Sequence, residues 1–319
     1  MTLFTLIRRS LTFHARSHLG VLIGAAIGSA ALIGALVVGD SVRISLREMA
    51  LARLGQVRHA VNSGDRFFRA ALATEMESQF VSDLKVKVAA ALQLQGTATA
   101  IGSAARANQV QVLGVDEDFW RLAQELPALE PIEADAVVLN PPLAAQLGVK
   151  VGDTVLLRTL KPSLLSRDAA ITPQDDIAVA LRLKVQAVVS DAQLGRFSLR
   201  ANQIPPRTAF LNRTFLQEKL QLPGRANLLL VAGEIDRESA AIFLEQNWQL
   251  SDAELELRHV EATGEIELRS ARVFLDPAKI EAATNAAPGT RTILTYFANE
   301  LRQGTNSTPY SMIAAMGEP

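Results

Sequence analysis

The sequence has 319 residues, no cysteine and a formal net charge of −1. Its length leaves room for about two ordinary domains, the lack of cysteine excludes disulfides and thiolate metal sites, and no basic stripe with interleaved aromatics points to nucleic acid. Charge is unevenly placed, because residues 1–60 hold seven arginines against two acids, Asp40 and Glu48. Basic residues gathered around one segment favour lipid headgroups as their partner.

The N-terminal segment, residues 2–17, is predicted to form an amphipathic helix. Leu3, Leu6, Ile7 and Leu11 recur at helical spacing, whereas the arginines lie mostly elsewhere. A short basic helix of this kind lies in the membrane interface. The alternative interpretation is a frayed terminus that carries a few basic residues.

An uncharged run of 20 residues, Leu19–Val38, follows. As a helix it would extend about 30 Å, the thickness of the hydrocarbon core of a bilayer. A secretory signal is usually shorter and ends at a cleavage site that this run lacks, and a buried helix of a soluble protein rarely stays uncharged on every face. The run therefore predicts a transmembrane helix over residues 19–39.

Half of this run consists of glycine, alanine or serine. Gly20, Gly24 and Gly28 recur every four residues and line one face, where small residues let another helix approach closely. The alternative is that small residues are merely tolerated in a transmembrane helix. Because no second run of 18 apolar residues occurs in the sequence, we expect the helices that pack on this face to lie elsewhere.

The transmembrane helix is predicted to continue as a stalk over residues 40–58. Val42, Leu46 and Met49 recur at three-to-four-residue intervals, as on one face of a helix. Gly55 marks the expected end. Arginines flank the run on both sides, so charge alone leaves its orientation undecided.

A βαββ unit and a second helix are predicted next. The strands are expected at 57–63, 87–101 and 108–116, and the helices at 68–80 and 117–126. Asp116, Glu117 and Asp118 at the start of the second helix lack the glycine and the spaced acids of a calcium loop. Helix capping is therefore predicted for these acids rather than metal binding.

A second unit of alternating strands and helices is predicted from residue 136 onward. Strands are expected at 136–140, 153–160, 180–191, 208–212, 227–233, 253–260, 265–275, 290–301 and 309–317, and helices at 141–148, 213–222 and 237–249. The proline-containing break at 161–177 predicts an exposed hairpin tip, with a partner contact as the alternative. Because the last strand runs to the end of the sequence, we expect the chain to be a fragment.

Sequence motifs for catalysis are lacking. The sequence contains no phosphate-binding loop, no H-E-x-x-H and no G-x-S-x-G. His59 and His259 lie in predicted strands, where an ordinary structural role is favoured over a metal or general-base role. We expect no cofactor, no metal and no enzymatic activity; a membrane-tethered enzyme stays open as an alternative that activity screening would reveal.

Three segments carry a resemblance to a known family. Residues 6–55, 137–157 and 194–212 resemble the N-terminal part of bacterial ABC transporter permeases of the MacB/FtsX-like type. The resemblance rests on the order of helix, strands and turns and covers nearly the whole chain. Such permeases carry four or more spans and a cytoplasmic coupling loop, whereas this sequence has only the first span.

The resemblance implies an α+β fold, in which one transmembrane helix precedes an extracytoplasmic domain built from two βαβ-type subdomains. It implies a cytoplasmic amphipathic helix at 1–18, a transmembrane helix at 19–39, a stalk at 40–58 and an extracytoplasmic core domain at 59–319. The implied function is a permease subunit in the bacterial inner membrane, which couples ATP hydrolysis to movement of the outer domain for export or extraction of a substrate.

Implied partners are membrane lipid, a separate ABC ATPase subunit, and other permease helices or a second permease copy, with no nucleic acid. The alternative function is a single-span sensor or binding protein with an extracytoplasmic domain. A sensor of this kind would need a cytoplasmic signalling module, and only about 18 residues precede the predicted span. The permease interpretation is therefore preferred.

Overall fold

The computed structural model describes residues 3–80, 85–162, 178–200, 204–272 and 275–316. The chain divides into two compact units, residues 1–53 and residues 54–319. The first unit consists of two helices, α1 (Leu3–Phe13) and α2 (Ala15–Ala52). Helix α2 has 38 residues, which corresponds to a length of about 57 Å. Neither helix buries a residue.

The second unit is a mixed α/β domain. Its helices are α3 (Leu72–Gln79), α4 (Glu117–Trp120), α5 (Pro141–Leu147), α6 (Arg213–Lys219), α7 (Arg237–Asn247) and α8 (Pro277–Ala286). Its strands are β1 (Val57–Asn62), β2 (Phe68–Arg69), β3 (Lys87–Ala100), β4 (Arg106–Val115), β5 (Ala136–Leu139), β6 (Thr154–Leu160), β7 (Ala178–Val188), β8 (Arg207–Asn212), β9 (Arg225–Ala226), β10 (Leu228–Ala232), β11 (Leu255–Val260), β12 (Glu265–Ser270), β13 (Ile293–Gln303) and β14 (Asn306–Met316).

Eight strands form the main sheet, in the order β1-β10-β3-β4-β8-β5-β7-β6. The long strand β3 pairs with different strands along its length. Its first five residues pair with β10, and its remainder pairs with β4 and β6. The pairing of β3 with β6 closes six strands into a ring. Three further pairs lie apart from this sheet, namely β2-β9, β11-β12 and β13-β14.

Glycine at position 96 allows the ring to close. A Cβ atom built there would lie 2.5 Å from the carbonyl oxygen of Arg158 on β6, much closer than van der Waals contact. Thr159 reinforces the junction, because its hydroxyl donates to the carbonyl of Gln95 at 3.0 Å. Only a residue without a side chain lets the two backbones approach in this way.

Three apolar clusters form the core. The first contains side chains from all six ring strands together with α5 and α6. The second lies on the opposite face of several of these strands and holds the aromatic rings of Phe119, Trp120, Phe197 and Phe210. The third packs Phe68 and α3 against β3 and β10. Successive residues of β5 belong alternately to the second and the first cluster, because successive strand residues point to opposite faces of the sheet.

The mixed α/β class predicted from the sequence is confirmed. Strands of both predicted units belong to the single main sheet, where β8 lies between β4 and β5. The predicted helix at 117–126 is shorter, since α4 ends at Trp120, and α8 was not predicted. The segment predicted at 68–80 begins with the short strand β2 before α3. The predicted hairpin tip at 161–177 lies, from residue 163, outside the described residues.

One buried hydroxyl in the sheet offers a small stability test. Thr208 is fully buried on β8, and among the described side chains its hydroxyl lacks a hydrogen-bond partner. Because an unpaired buried hydroxyl costs free energy, Thr208→Val is expected to raise the free energy of unfolding by about 1 kcal/mol. The matched control is Thr159→Val, which loses a hydrogen bond and should lower it by about 1 kcal/mol. Urea unfolding measures both, and a loss of stability in Thr208→Val would contradict the assignment.

Candidate functional site

The first candidate surface is the apolar face of α1. On a helix with 100° per residue, Leu3, Leu6, Ile7 and Leu11 fall within an arc of about 140°, and all four are exposed. The adjacent arginines, 8 and 9, point away from this arc. A stripe of exposed apolar side chains opposite basic ones is the arrangement of a helix that lies in a membrane interface.

A local break at His14 separates α1 from α2. His14 has φ −99° and ψ 21°, outside the helical region, and caps α2 without a side-chain hydrogen bond. The backbone bonds on either side persist, because the amide of His14 donates to Ser10 and the amide of His18 donates to His14, each at 3.0 Å. Phe13 packs edge-on against the His14 ring with centroids 4.9 Å apart.

The second candidate surface is the glycine face of α2, formed by Gly20, Gly24 and Gly28. Residues four apart are offset by about 40° on a helix, so the three glycines occupy one narrow strip about 12 Å long. A Cβ atom built at any of the three meets nothing within 4 Å. The strip is therefore an open surface of α2, and its role in helix packing stays a prediction.

Length and composition make α2 a candidate membrane span. The helix begins before the uncharged run and continues past Asp40, its first acidic residue, to Ala52. The same helix thus contains both the predicted transmembrane run and most of the predicted stalk. Within the described residues, α2 alone meets the length and hydropathy requirements for crossing a membrane.

Of the three acids predicted to cap a helix, Asp116 caps α4, while Glu117 and Asp118 lie in its first turn. The Asp116 carboxylate accepts from the Phe119 amide at 3.4 Å and forms an ion pair with Arg213 at 2.6 Å. Burial raises the pKa of the Asp116 carboxyl, while the charge of Arg213 acts in the opposite direction. In the part of the chain that the structure describes, no three His, Asp or Glu side chains are grouped to hold a metal ion.

The two strand histidines lie apart from each other. His59 on β1 lies with Nε2 2.8 Å from the carbonyl oxygen of Ile235, which ties the edge strand to the loop before α7. His259 lies on β11. The structure therefore does not bring these two candidate residues into one site.

Sequence reasoning missed the structural importance of Asn140, which is fully buried. Its Oδ1 accepts from the amides of Leu143 and Thr208 at 3.1 and 3.0 Å. Its Nδ2 donates to the carbonyls of Gly195 and Pro206 at 2.9 and 2.7 Å. One side chain thus joins three segments of the ring, and the available signal was an asparagine directly before Pro141, which is typical of a helix N-cap.

A polar cluster that joins distant segments was also missed. Arg69 on β2 forms an ion pair with Asp252 at 2.9 Å and another with Glu75 at 2.7 Å. The Asp252 side chain has no solvent exposure. Arg69 and Asp252 are 183 residues apart in sequence, so no local pattern could have revealed their pairing.

Comparison with known proteins shows a family match over most of the chain. The family model described as "MacB-like periplasmic core domain" matches residues 19–241. The match starts within α2 and ends within α7. No curated protein matches the chain.

Two solved structures are similar to the chain. One is the periplasmic region of MacB from Actinobacillus actinomycetemcomitans, at 11% identity and a TM-score of 0.38, covering 72% of this chain and 92% of that one. The other is the extracellular domain of the noncanonic ABC-type transporter YknZ from Gram-positive bacteria. Its identity is 10% and its TM-score 0.31, covering 58% of this chain and 88% of that one.

Proposed function

The chain belongs to the family of MacB-like periplasmic core domains, and from this membership we propose that it is the N-terminal part of an ABC transporter permease. Family membership supports a transporter-associated role, and the apolar helix α2 with the domain that follows it fits a membrane-anchored protein. The observation that carries the proposal is that the family match includes both the uncharged run of α2 and the strand-rich domain.

The proposed topology places residues 1–18 in the cytoplasm, 19–39 in the membrane, and the stalk at 40–58 and the domain at 59–319 outside. Helix α1 then lies on the cytoplasmic interface, where its apolar arc contacts lipid and its arginines contact headgroups. The exposed surface of α2 supports this arrangement, because exposed apolar side chains surround its uncharged run.

Energy for transport comes, in this proposal, from a separate ATPase subunit, since the sequence contains no phosphate-binding loop. Movement of the permease helices by that subunit displaces the extracytoplasmic domain and thereby exports or extracts a substrate. An unbroken α2 supports transmission of such movement, because a helix that continues from Ala15 to Ala52 transmits displacement along its axis without a flexible joint.

The Gly20, Gly24 and Gly28 face is proposed to contact other permease helices or a second copy of the permease. The open space above each glycine is compatible with close approach of a neighbouring backbone. A solitary anchor needs no such face, whereas a helix that packs against other helices does.

Site-directed cysteine labelling tests the proposed topology, because the chain has no native cysteine. We expect Glu261→Cys, in the exposed turn between β11 and β12, to react with a membrane-impermeant maleimide in intact spheroplasts. The matched variant Thr12→Cys, exposed on the polar face of α1, is expected to react only after the cells are permeabilised.

Two results would overturn the topology and, with it, the permease proposal. The first is labelling of Glu261→Cys only after permeabilisation, which would place the domain in the cytoplasm. The second is equal labelling of both variants in intact spheroplasts, which would show that α2 does not separate them. Immunoblots of the two variants establish that both are present in equal amounts.

A further inference from the structure

The three apolar clusters end at α7, ahead of the last elements of the second unit. Among the described residues, the last apolar side chain that belongs to them is Leu244, and the Trp248 ring follows with its centroid 6.3 Å from that of Phe68 in the third cluster. The family match ends nearby, at residue 241. The 3-10 turn Leu250–Ala253, β11, β12 and α8 follow; these four elements are called the strap. No described apolar side chain of the strap belongs to these clusters.

Polar contacts supply the attachment, and they centre on Asp252. Its carboxylate accepts from the Arg69 amide at 2.7 Å, from the Arg69 guanidinium at 2.9 and 3.1 Å, and from the Gln249 amide at 3.0 Å. The side chain of Asp252 is 0% exposed and that of Arg69 is 20% exposed. With this many donors, the hydrogen-bonding capacity of the buried carboxylate is filled. Separating it from its arginine would leave a buried charge without a partner, which costs free energy.

Backbone oxygens of the turn, and of the end of α7 just before it, accept hydrogen bonds from basic side chains. The Arg225 guanidinium, on β9, donates to the Ser251 carbonyl at 2.7 Å, and the Arg69 guanidinium donates to the Asn247 carbonyl at 3.1 Å. Lys279 on α8 donates to the Ala253 carbonyl at 2.6 Å. Arg225 and Arg69 thus tie the turn and the end of α7 to β9 and β2, whereas the Lys279 contact lies within the strap.

Further contacts join the segment between β12 and α8 to the loop before β2. Arg272 forms ion pairs with Asp65 and with Glu254, and also donates to the Asp65 carbonyl. Arg66 forms an ion pair with Asp276 at 2.6 Å. The latter pair is 35% and 40% exposed, so solvent screens it and its contribution is small. Glu254, whose side chain is 14% exposed, also accepts from the Phe67 amide at 3.0 Å. The pair of Arg69 and Asp252 is the most buried ion pair between the strap and the core among the described residues.

We infer that the strap is a separable conformational element, held on the family core by a polar clasp whose central contact is the Arg69–Asp252 ion pair. The strap opens by local unfolding while the three apolar clusters stay folded. Regions with few buried apolar contacts are those that open at low free-energy cost. The described contacts between the strap and the core are ion pairs and hydrogen bonds. Such an element moves independently of the core when the clasp is broken.

Hydrogen exchange of the full-length, detergent-solubilised chain tests this inference. In Asp252→Asn the carboxylate charge is lost with little change in shape, so we expect amide exchange in β11 and β12 to accelerate by about tenfold or more. Exchange in β3 and β10, at the centre of the core, should remain as in the parent. The matched control, Asp276→Asn, removes the exposed ion pair and should leave all four strands unchanged.

Two outcomes would overturn the inference. Unchanged exchange in β11 and β12 of Asp252→Asn would show that the clasp does not hold the strap. Equal acceleration in β3 and β10 would show that the strap and the core unfold together as one cooperative element. Neither outcome depends on the topology or the partners of the chain, so the inference can fail while the proposed transporter role stands.

Discussion

Replacing Gly55 by alanine is expected to lower the free energy of unfolding of the second unit by about 3 kcal/mol. Gly55 has φ +58°, a left-handed conformation that costs any other L-residue about 1–2 kcal/mol. In addition, a Cβ atom there would lie 2.5 Å from the carbonyl oxygen of Leu122 and 2.8 Å from a methyl carbon of Leu194. The backbone has little freedom to relieve this clash.

The lack of freedom comes from hydrogen bonds that fix the neighbouring residue. The Gln56 amide donates to the Leu122 carbonyl at 2.8 Å, and its side-chain amide donates to the Ala123 carbonyl at 2.5 Å. Trp120 lies close by in the aromatic cluster, with its ring 5.0 Å from Phe210. Urea unfolding of the full-length chain, followed by tryptophan fluorescence, therefore reports on this region directly.

Gly64→Ala is the matched control for this prediction. Gly64 also has a left-handed backbone, at φ +67°, but a Cβ atom there meets nothing within 4 Å. Its substitution should lower the free energy of unfolding by only about 1 kcal/mol, the cost of the left-handed backbone conformation. Equal losses in the two variants would show that the close approach to Leu122 contributes nothing and that backbone conformation accounts for both.

Elements defined by local signals were predictable from the sequence. Helix α5 begins with a capping asparagine followed by Pro141 and ends at Gly148, which adopts a left-handed φ of +65°. The β11-β12 hairpin turns at Gly264, with φ +70°. In both cases the residues that set the backbone conformation lie next to each other in sequence. Neighbouring residues alone therefore determine where the helix starts and ends and where the hairpin turns.

Features that depend on distant contacts were not predictable in this way. Helix α4 stops at Trp120 although the helical pattern continues, and the carbonyls of Leu122 and Ala123 accept from Gln56 rather than from a further helical turn. Closure of the ring depends on Gly96 meeting β6, whose partner residue Thr159 lies about 60 residues further along the chain. Neither contact leaves a periodic pattern in the sequence.

The glycine face of α2 was predictable from the sequence, and the clasp was not. The glycine face of α2 follows directly from residue spacing, because three residues four apart must share one side of a helix. The clasp required the structure, because Arg69 and Asp252 carry common charged side chains and nothing in their neighbourhoods marks them as partners. Burial of the Asp252 side chain is what distinguishes this pair from the many surface ion pairs of the chain.

If the proposed helix packing holds, Gly24→Leu is expected to abolish most assembly of the full-length chain with the proposed partner helices while leaving its expected membrane insertion intact. The substitution places a bulky side chain in the middle of the open strip formed by Gly20, Gly24 and Gly28. Close packing at such a strip contributes through backbone approach, and its loss is expected to reduce association by about tenfold or more. Insertion does not suffer, because leucine is more apolar than glycine.

Ala26→Leu is the matched control, since residue 26 lies about 200° around the helix from residue 24 and also carries an exposed small side chain. It adds comparable bulk to the opposite face and should assemble as the parent does. The measurement is recovery of the ATPase subunit and of a differently tagged second copy with each affinity-tagged variant, from membranes that contain equal amounts of chain. If Gly24→Leu recovers both partners as well as Ala26→Leu does, the three glycines do not form the contact and the proposed packing role is wrong.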